Sequence, residues 1–292
     1  MNWRSAAAAG LGVAALSREP DLPLSPVFAR GRVGADFGER TGLAGERAHS
    51  EMDDLDAFAR DDFDPGRVHP TIRDFYESTL DYAMWFDVDW HRGFRAGAAG
   101  AAHLTRWLEQ LNLPGPGADG PWNVESDLRR VPDDADPRED VRLWTRTRTG
   151  TGEAVADPSV EPGQTVFVAL YGAHETPSGD RLVNVAVPLP GSNLSTVLRP
   201  DHLGAGDATG LELTTFAPGQ PGLFAVTPAG AFRLPMHQRF RTYPTTSPAA
   251  PSTPVADADV VTTQEMWLCG RQFLTVTYGM RRRRQRENER ES

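Results

Sequence analysis

The chain predicts an α+β fold that is predominantly antiparallel β, with seven to eight strands in a barrel-like or folded-over sheet and two N-terminal helices packed on it. Three observations carry this. From Val141 to Met280 the sequence breaks into extended segments separated by turn residues every ~8–12 positions. The connections between those segments are short, which makes consecutive strands antiparallel neighbours. Ahead of them, Tyr82–Trp90 alternates in apolar character, between two stretches of helical spacing. A sheet of that size hides its edges by closing or folding over itself.

Residues 1–62 mix Gly and Ala with acids that include Asp53, Asp54, Asp56, Asp61 and Asp62, the composition of a largely disordered acidic arm. One α+β domain is expected over 63–280 and an Arg/Glu tail over 281–292. Pro70 suits a first helical turn, where its missing N–H costs nothing, and Asp74 and Glu77 complement the helix dipole. Ile72, Phe75, Tyr76 and Leu80 then share one helical face. In the strand that follows, Tyr82, Met84, Phe86, Val88 and Trp90 fall on one side. Leu104, Trp107, Leu108 and Leu111 have the spacing of a second helix, and Asn112-Leu113-Pro114-Gly115 stops it. Pro, Gly and Asp fill a loop to about Asp140.

Thr165–Tyr171 is apolar on both faces, as a central strand is. Thr176–Asp180 turns it into Leu182–Leu189, and Leu211–Phe216, Leu223–Thr227 and Ala231–Tyr243 follow between Pro/Gly turns. Pro244–Pro254 reads as a flexible excursion. A last long strand, Gln264–Tyr278, changes phase at Gly270-Arg271, which a bulge accounts for.

All thirty basic residues are Arg, and there is no Lys. Schiff-base chemistry, a phosphate-loop lysine and a Ser-x-x-Lys nucleophile pair are therefore excluded, since each needs an ε-amine. A net charge of −10 argues against a nucleic-acid partner, which requires a basic footprint. The single cysteine, Cys269, rules out intramolecular disulfides and Cys-based metal centres; within Met266-Trp267-Leu268-Cys269 it is expected to be buried and inert. The seven His are scattered without metal spacing, so no metal and no cofactor are expected. No apolar run approaches the ~20 residues that span a bilayer, and the Ala/Gly-rich start makes a poor signal peptide. A cytoplasmic location with no integral membrane segment is expected.

Six residues, Tyr171, His174, Asn193, Arg233, His237 and Arg239, stand out as candidate ligand contacts. His174 lies at the end of a buried strand beside Tyr171, where a general base or a hairpin cap would sit. Asn193, after Pro190-Gly191-Ser192, is a turn residue or a ligand amide. On the strand after Gly230, Phe232, Leu234, Met236 and Phe240 point one way, while Arg233, His237, Arg239 and Arg241 point the other. That cationic row, with ~7 Å between steps, suits carboxylate or phosphate recognition or a solvated sheet face.

Val68-His69-Pro70, Phe75-Tyr76-Glu77, Pro188-Leu189-Pro190 with Ser192-Asn193, Leu234-Pro235, and Met266-Trp267 through Gly270 to Phe273-Leu274-Thr275 and Tyr278 resemble the soluble C-terminal region of YndJ-like bacterial proteins. The resemblance covers about residues 65–280. It implies a shared domain in a functionally uncharacterised family whose longer members carry membrane helices ahead of this region, and it implies no activity. Three readings follow. The first is a non-catalytic β domain binding a small amphipathic or anionic molecule, and the second is a protein-interaction module using the acidic arm at 36–64, with no partner identified. The third is a hydrolase or isomerase pairing His174 or His237 with a carboxylate.

Overall fold

The computed structural model describes residues 22–118, 120–149, 163–206 and 209–283. The first residues of the arm, the start of the chain and the Arg/Glu tail beyond Arg283 lie outside them.

Among the described residues twelve strands form one antiparallel sheet: β1 (Tyr82–Trp90), β2 (Trp122–Arg130), β3 (Glu139–Arg148), β4 (Thr165–Glu175), β5 (Arg181–Leu189), β6 (Ser192–Leu203), β7 (Gly210–Thr214), β8 (Gly222–Thr227), β9 (Gly230–Arg233), β10 (Met236–Pro244), β11 (Val260–Leu268) and β12 (Arg271–Arg282). Ten of them close a barrel in the order β1-β2-β3-β4-β5-β6-β7-β10-β11-β12, because β5 pairs with β6 and β12 returns to β1. The long strand β6 pairs with β7 through its second half and with β8 through its first, so β8 and β9 extend the wall as a flap outside the ring.

The count exceeds the expected seven to eight, and three of the additional strands have local reasons. In β2, Asn123, Glu125, Asp127 and Arg129 mask the alternation of Trp122, Val124 and Leu128 and give the segment the composition of a loop. The expected single strand Gln264–Tyr278 is a hairpin: Cys269 and Gly270 both have positive φ, 49° and 75°, and turn β11 back onto β12. Cys269 is accordingly exposed in that turn instead of buried in a strand. Leu234-Pro235 likewise splits Ala231–Tyr243 into β9 and β10.

Residues 22–62 are not a loose arm. Leu24, Ala29, Val33 and Phe37 are buried on the outer barrel wall, and Met52, Leu55, Phe58 and Phe63 are buried at its base. The strap is hydrogen-bonded along its length: Ala29 N–H donates to Leu189 O at 3.0 Å and Ala48 N–H to Leu128 O at 2.9 Å. A short helix α1 (Phe37–Thr41) presses so closely on the wall that a Cβ at Gly38 would lie 2.4 Å from a Leu143 methyl. The aspartates that suggested disorder are neutralised locally, Asp53 by Arg130 and Arg142, Asp56 by Arg73, and Asp62 by Arg60 and Arg199.

The helix α2 (Pro70–Glu77) closes the base, burying Ile72, Phe75 and Tyr76. Tyr76 Oη and Thr242 Oγ1, 3.1 Å apart, tie it to the barrel floor. The helix α3 (Arg95–Leu108) forms where periodicity places it, but of its residues only Ala98 and Leu108 are buried, so it borders the barrel without joining the core.

Candidate functional site

Inside the ring, side chains of β1, β3, β4, β5, β6, β7, β10, β11 and β12 converge on a cavity of about 290 Å³. Eight strands suffice to fill a barrel or hold one small ligand, and a ten-membered ring is wider. The lining is apolar over most of its area, with Val183, Val185 and Val187 from β5, Leu194 and Leu198 from β6, and Met84 and Phe86 from β1. Leu111 and Leu113, which follow α3, face it near the upper rim, and Phe75 and Tyr76 floor it.

One strand departs from this pattern. The inward face of β3 carries Arg142, Trp144, Arg146 and Arg148, three cations where a barrel normally places aliphatic residues. Arg142 is neutralised by Asp53 and donates to Asp140 O at 2.7 Å. Arg148 stacks 3.9 Å above the Trp122 ring, at the rim. Arg146 points into the cavity between Trp144, 3.9 Å from its guanidinium carbon, and the rings of Tyr278 and Phe167 at 5.5 and 5.8 Å. Among the described residues no carboxylate lies within ion-pair distance of Arg146, and its buried Nε has no acceptor.

Among the described residues the one acid facing the cavity is Glu51, from the strap at the base. Burial pushes its carboxyl up to about 7, against a weaker opposing pull from Arg146 and Arg142. Below that pH Glu51 is neutral and the cavity carries the unbalanced charge of Arg146. Tyr171 lies 5.0 Å from Trp144, and burial raises its hydroxyl far above the usual tyrosine range. The Tyr278 hydroxyl donates to Gln264 Oε1 at 2.8 Å. The polar side of the cavity is thus Arg146, Glu51, Tyr171, Tyr278 and Gln264.

Because the folded-state pKa of Glu51 lies above its unfolded value of 4.5, the folded state holds the extra proton between those values. Stability associated with it is fully present below about pH 4.5 and is lost as pH rises through about 7. Urea unfolding across this window should show a decline on the order of 1 kcal/mol per pH unit. Glu51→Gln should remove that slope; an unchanged slope would show that another group carries it.

Of the six residues expected as ligand contacts, Tyr171 alone lines the cavity. His174 is buried at the outer wall, its Nε2 3.0 Å from Gln220 Oε1 and its Nδ1 3.3 Å from Asn184 Nδ2. Burial lowers its pKa. Asn193 donates to Ser25 O and Val27 O, pinning the strap. The odd-numbered face of β10 looks away from the cavity, and its cations are already engaged. Arg239 donates to Glu265 at 3.0 Å, Arg241 binds the same carboxylate, and Glu212 stands 3.9 Å from Arg239. Arg233 on β9 donates to Pro221 O and Gly219 O, and His237 stacks on Phe216 at 4.4 Å. Among the described residues neither His174 nor His237 has a carboxylate within ion-pair distance, and no group of three or more His, Cys, Asp or Glu could hold a metal ion.

Arg146 was missed although its signal is local: Arg142-x-Trp144-x-Arg146-x-Arg148 puts cations and an indole on one side of a strand.

Over 262 residues, 88% of its length, the chain is 28% identical to the Bacillus subtilis (strain 168) protein named "Uncharacterized membrane protein YndJ". The chain resembles YndJ. The match takes in 42% of YndJ, so this chain spans less than half the length of that relative. No family model matches the chain, and no solved structure matches it. The YndJ-like resemblance overturns the cytoplasmic expectation, because the relative carries the name of a membrane protein. Among the described residues no helix is long and apolar enough to cross a bilayer, which says nothing of strands.

Proposed function

We propose that the YndJ-like barrel is a non-catalytic binding module that holds a small amphipathic monoanion, apolar portion in the lumen and anionic group on Arg146. The observation that carries this reading is a guanidinium with no ion-pair partner among the described residues, in a mostly apolar cavity. A buried cation without a counter-ion costs stability, and an anionic ligand would supply the missing charge and the missing Nε acceptor. Trp144, Tyr171 and Tyr278 around it would exclude water and strengthen the pairing. A volume of about 290 Å³ is near the lower bound, roughly 300 Å³, of small-molecule sites, which favours one short acyl chain or a comparable amphiphile over a two-chain lipid. The name of the relative supports placing this activity beside a membrane, where such molecules partition.

Titration with dodecanoate, followed by fluorescence and calorimetry, tests the reading. Saturable binding of one molecule per chain, weakening as pH rises through about 7 and Glu51 ionises, is the expected result. Absence of saturable binding would refute it.

A further inference from the structure

The helix α3 is amphipathic in an inverted sense. Phe94, Ala98, Ala102, Thr105 and Leu108 make its buried and half-buried side, whereas Ala96, Gly100, Leu104 and Trp107 form an exposed, uncharged stripe on the opposite side. Leu104 is 58% exposed and Trp107 67%. A surface helix ordinarily turns such residues inward, and an outward apolar stripe marks an interaction face.

Charge distinguishes the occupant. In a chain of net charge −10, the stretch from Trp90 to Leu108 contains no acid, but does contain Arg92, Arg95, Arg106, His91 and His103. On the helix the cations Arg95 and Arg106 lie on the side adjoining the apolar stripe. Arg92 and Arg106 make no ion pair among the described residues, and Arg95 reaches only Asp89, at 3.8 Å. Apolar residues including a Trp, bordered by arginines, are the composition of a helix lying in a bilayer interface.

The neighbouring rim extends the surface. Phe94, just ahead of α3, packs on Phe273 with ring centroids 5.8 Å apart, which sets the start of β12 beside it. The β11–β12 turn there exposes Leu268, at 38%, next to Arg271. Leu111 and Leu113, immediately after α3, line the lumen, so this face adjoins the upper end of the cavity.

We propose that the rim carrying α3 docks on an anionic lipid bilayer, with Leu104 and Trp107 entering the interfacial layer and Arg92, Arg95 and Arg106 meeting lipid phosphates. This goes beyond the lumen reading and stands without it. Docking places the end of the barrel bounded by Leu111 and Leu113 against the source of amphipathic molecules.

Co-sedimentation of the full chain with phosphatidylcholine vesicles, with and without phosphatidylglycerol, tests it. Binding to the anionic vesicles should exceed binding to the neutral ones by at least about tenfold and fall with salt. Leu104→Ser with Trp107→Ser should remove it, and Arg92→Gln with Arg106→Gln should weaken it by about tenfold. These side chains are exposed, so unchanged melting curves will certify the variants. No vesicle binding by the wild-type chain, equal binding to both vesicle types, or equal binding by the variants would overturn the proposal. So would self-association lost in Leu104→Ser/Trp107→Ser without vesicle binding, which would assign the face to a second copy. Dodecanoate affinity in solution should be the same for that variant and the wild type, which separates failure here from failure of the lumen reading.

Discussion

Asp136→Ala should destabilise the protein by about 3–5 kcal/mol, the cost of stranding a buried guanidinium without its counter-ion. Asp136 and Arg138 pair at 2.8 Å with both side chains fully buried. Arg138 also donates to Asn184 O at 2.6 Å and Leu170 O at 3.2 Å, and Asp136 accepts from Ser25 Oγ at 2.6 Å. The pair therefore joins the β2–β3 connection, two barrel strands and the N-terminal strap at one point. Burial alone would raise the Asp136 carboxyl, but the hydrogen bonds and charge of Arg138, with the Ser25 bond, hold it below the usual carboxylate range. A depressed folded-state value means its stabilisation is present above the unfolded pKa and is lost as pH falls through the folded one. Urea unfolding at neutral pH measures the loss, with Arg32→Ala as the comparison. Arg32 and Glu109 pair at 2.6 Å but are 46% and 33% exposed, so breaking that pair should cost under about 1 kcal/mol. Similar losses for the two variants would contradict the assignment of Asp136–Arg138 as the strap's anchor.

Arg146→Met should have the opposite relation between stability and function. Met fills the space between Trp144, Phe167 and Tyr278 without a charge or an unsatisfied Nε, so the unliganded variant should be no less stable than the wild type, with a gain on the order of 1 kcal/mol. Its affinity for dodecanoate should drop roughly 10–100-fold, the worth of a charge-assisted hydrogen bond to a carboxylate. A residue whose removal stabilises the fold while weakening binding is retained for the site. If Arg146→Met instead unfolds the barrel, Arg146 is structural.

How far the sequence could be read depended on whether the deciding contacts were local. The alternation of Tyr82 to Trp90 is β1, and the Pro70 helix begins at Pro70, because dihedral preference and period are properties of a few neighbouring residues. Closure of the ring rests on β5 meeting β6 and β12 meeting β1, pairings whose registers no short window contains. Leu104 and Trp107 show the same limit from the other side: spacing reveals a common helical face and not whether protein covers it. Asp136 and Arg138 sit in a Pro/Asp-rich loop whose burial comes from Ser25, 111 residues away. The cationic row on β10 was legible as a row, but Glu212 and Glu265 come from the two flanking strands. Conversely, the inward arginines of β3 are within reach of simple alternation, since Arg142, Trp144, Arg146 and Arg148 share one side of a strand.

The proposal that Arg146 reads the anionic group of a lumen ligand is tested most directly by one ratio, the affinity for dodecanoate over that for dodecan-1-ol, in the wild type and in Arg146→Met. The account predicts a wild-type ratio of roughly 10–100 that collapses to about one in the variant through loss of acid binding, with alcohol binding retained. A ratio near one in the wild type, or one that survives the substitution, would contradict it.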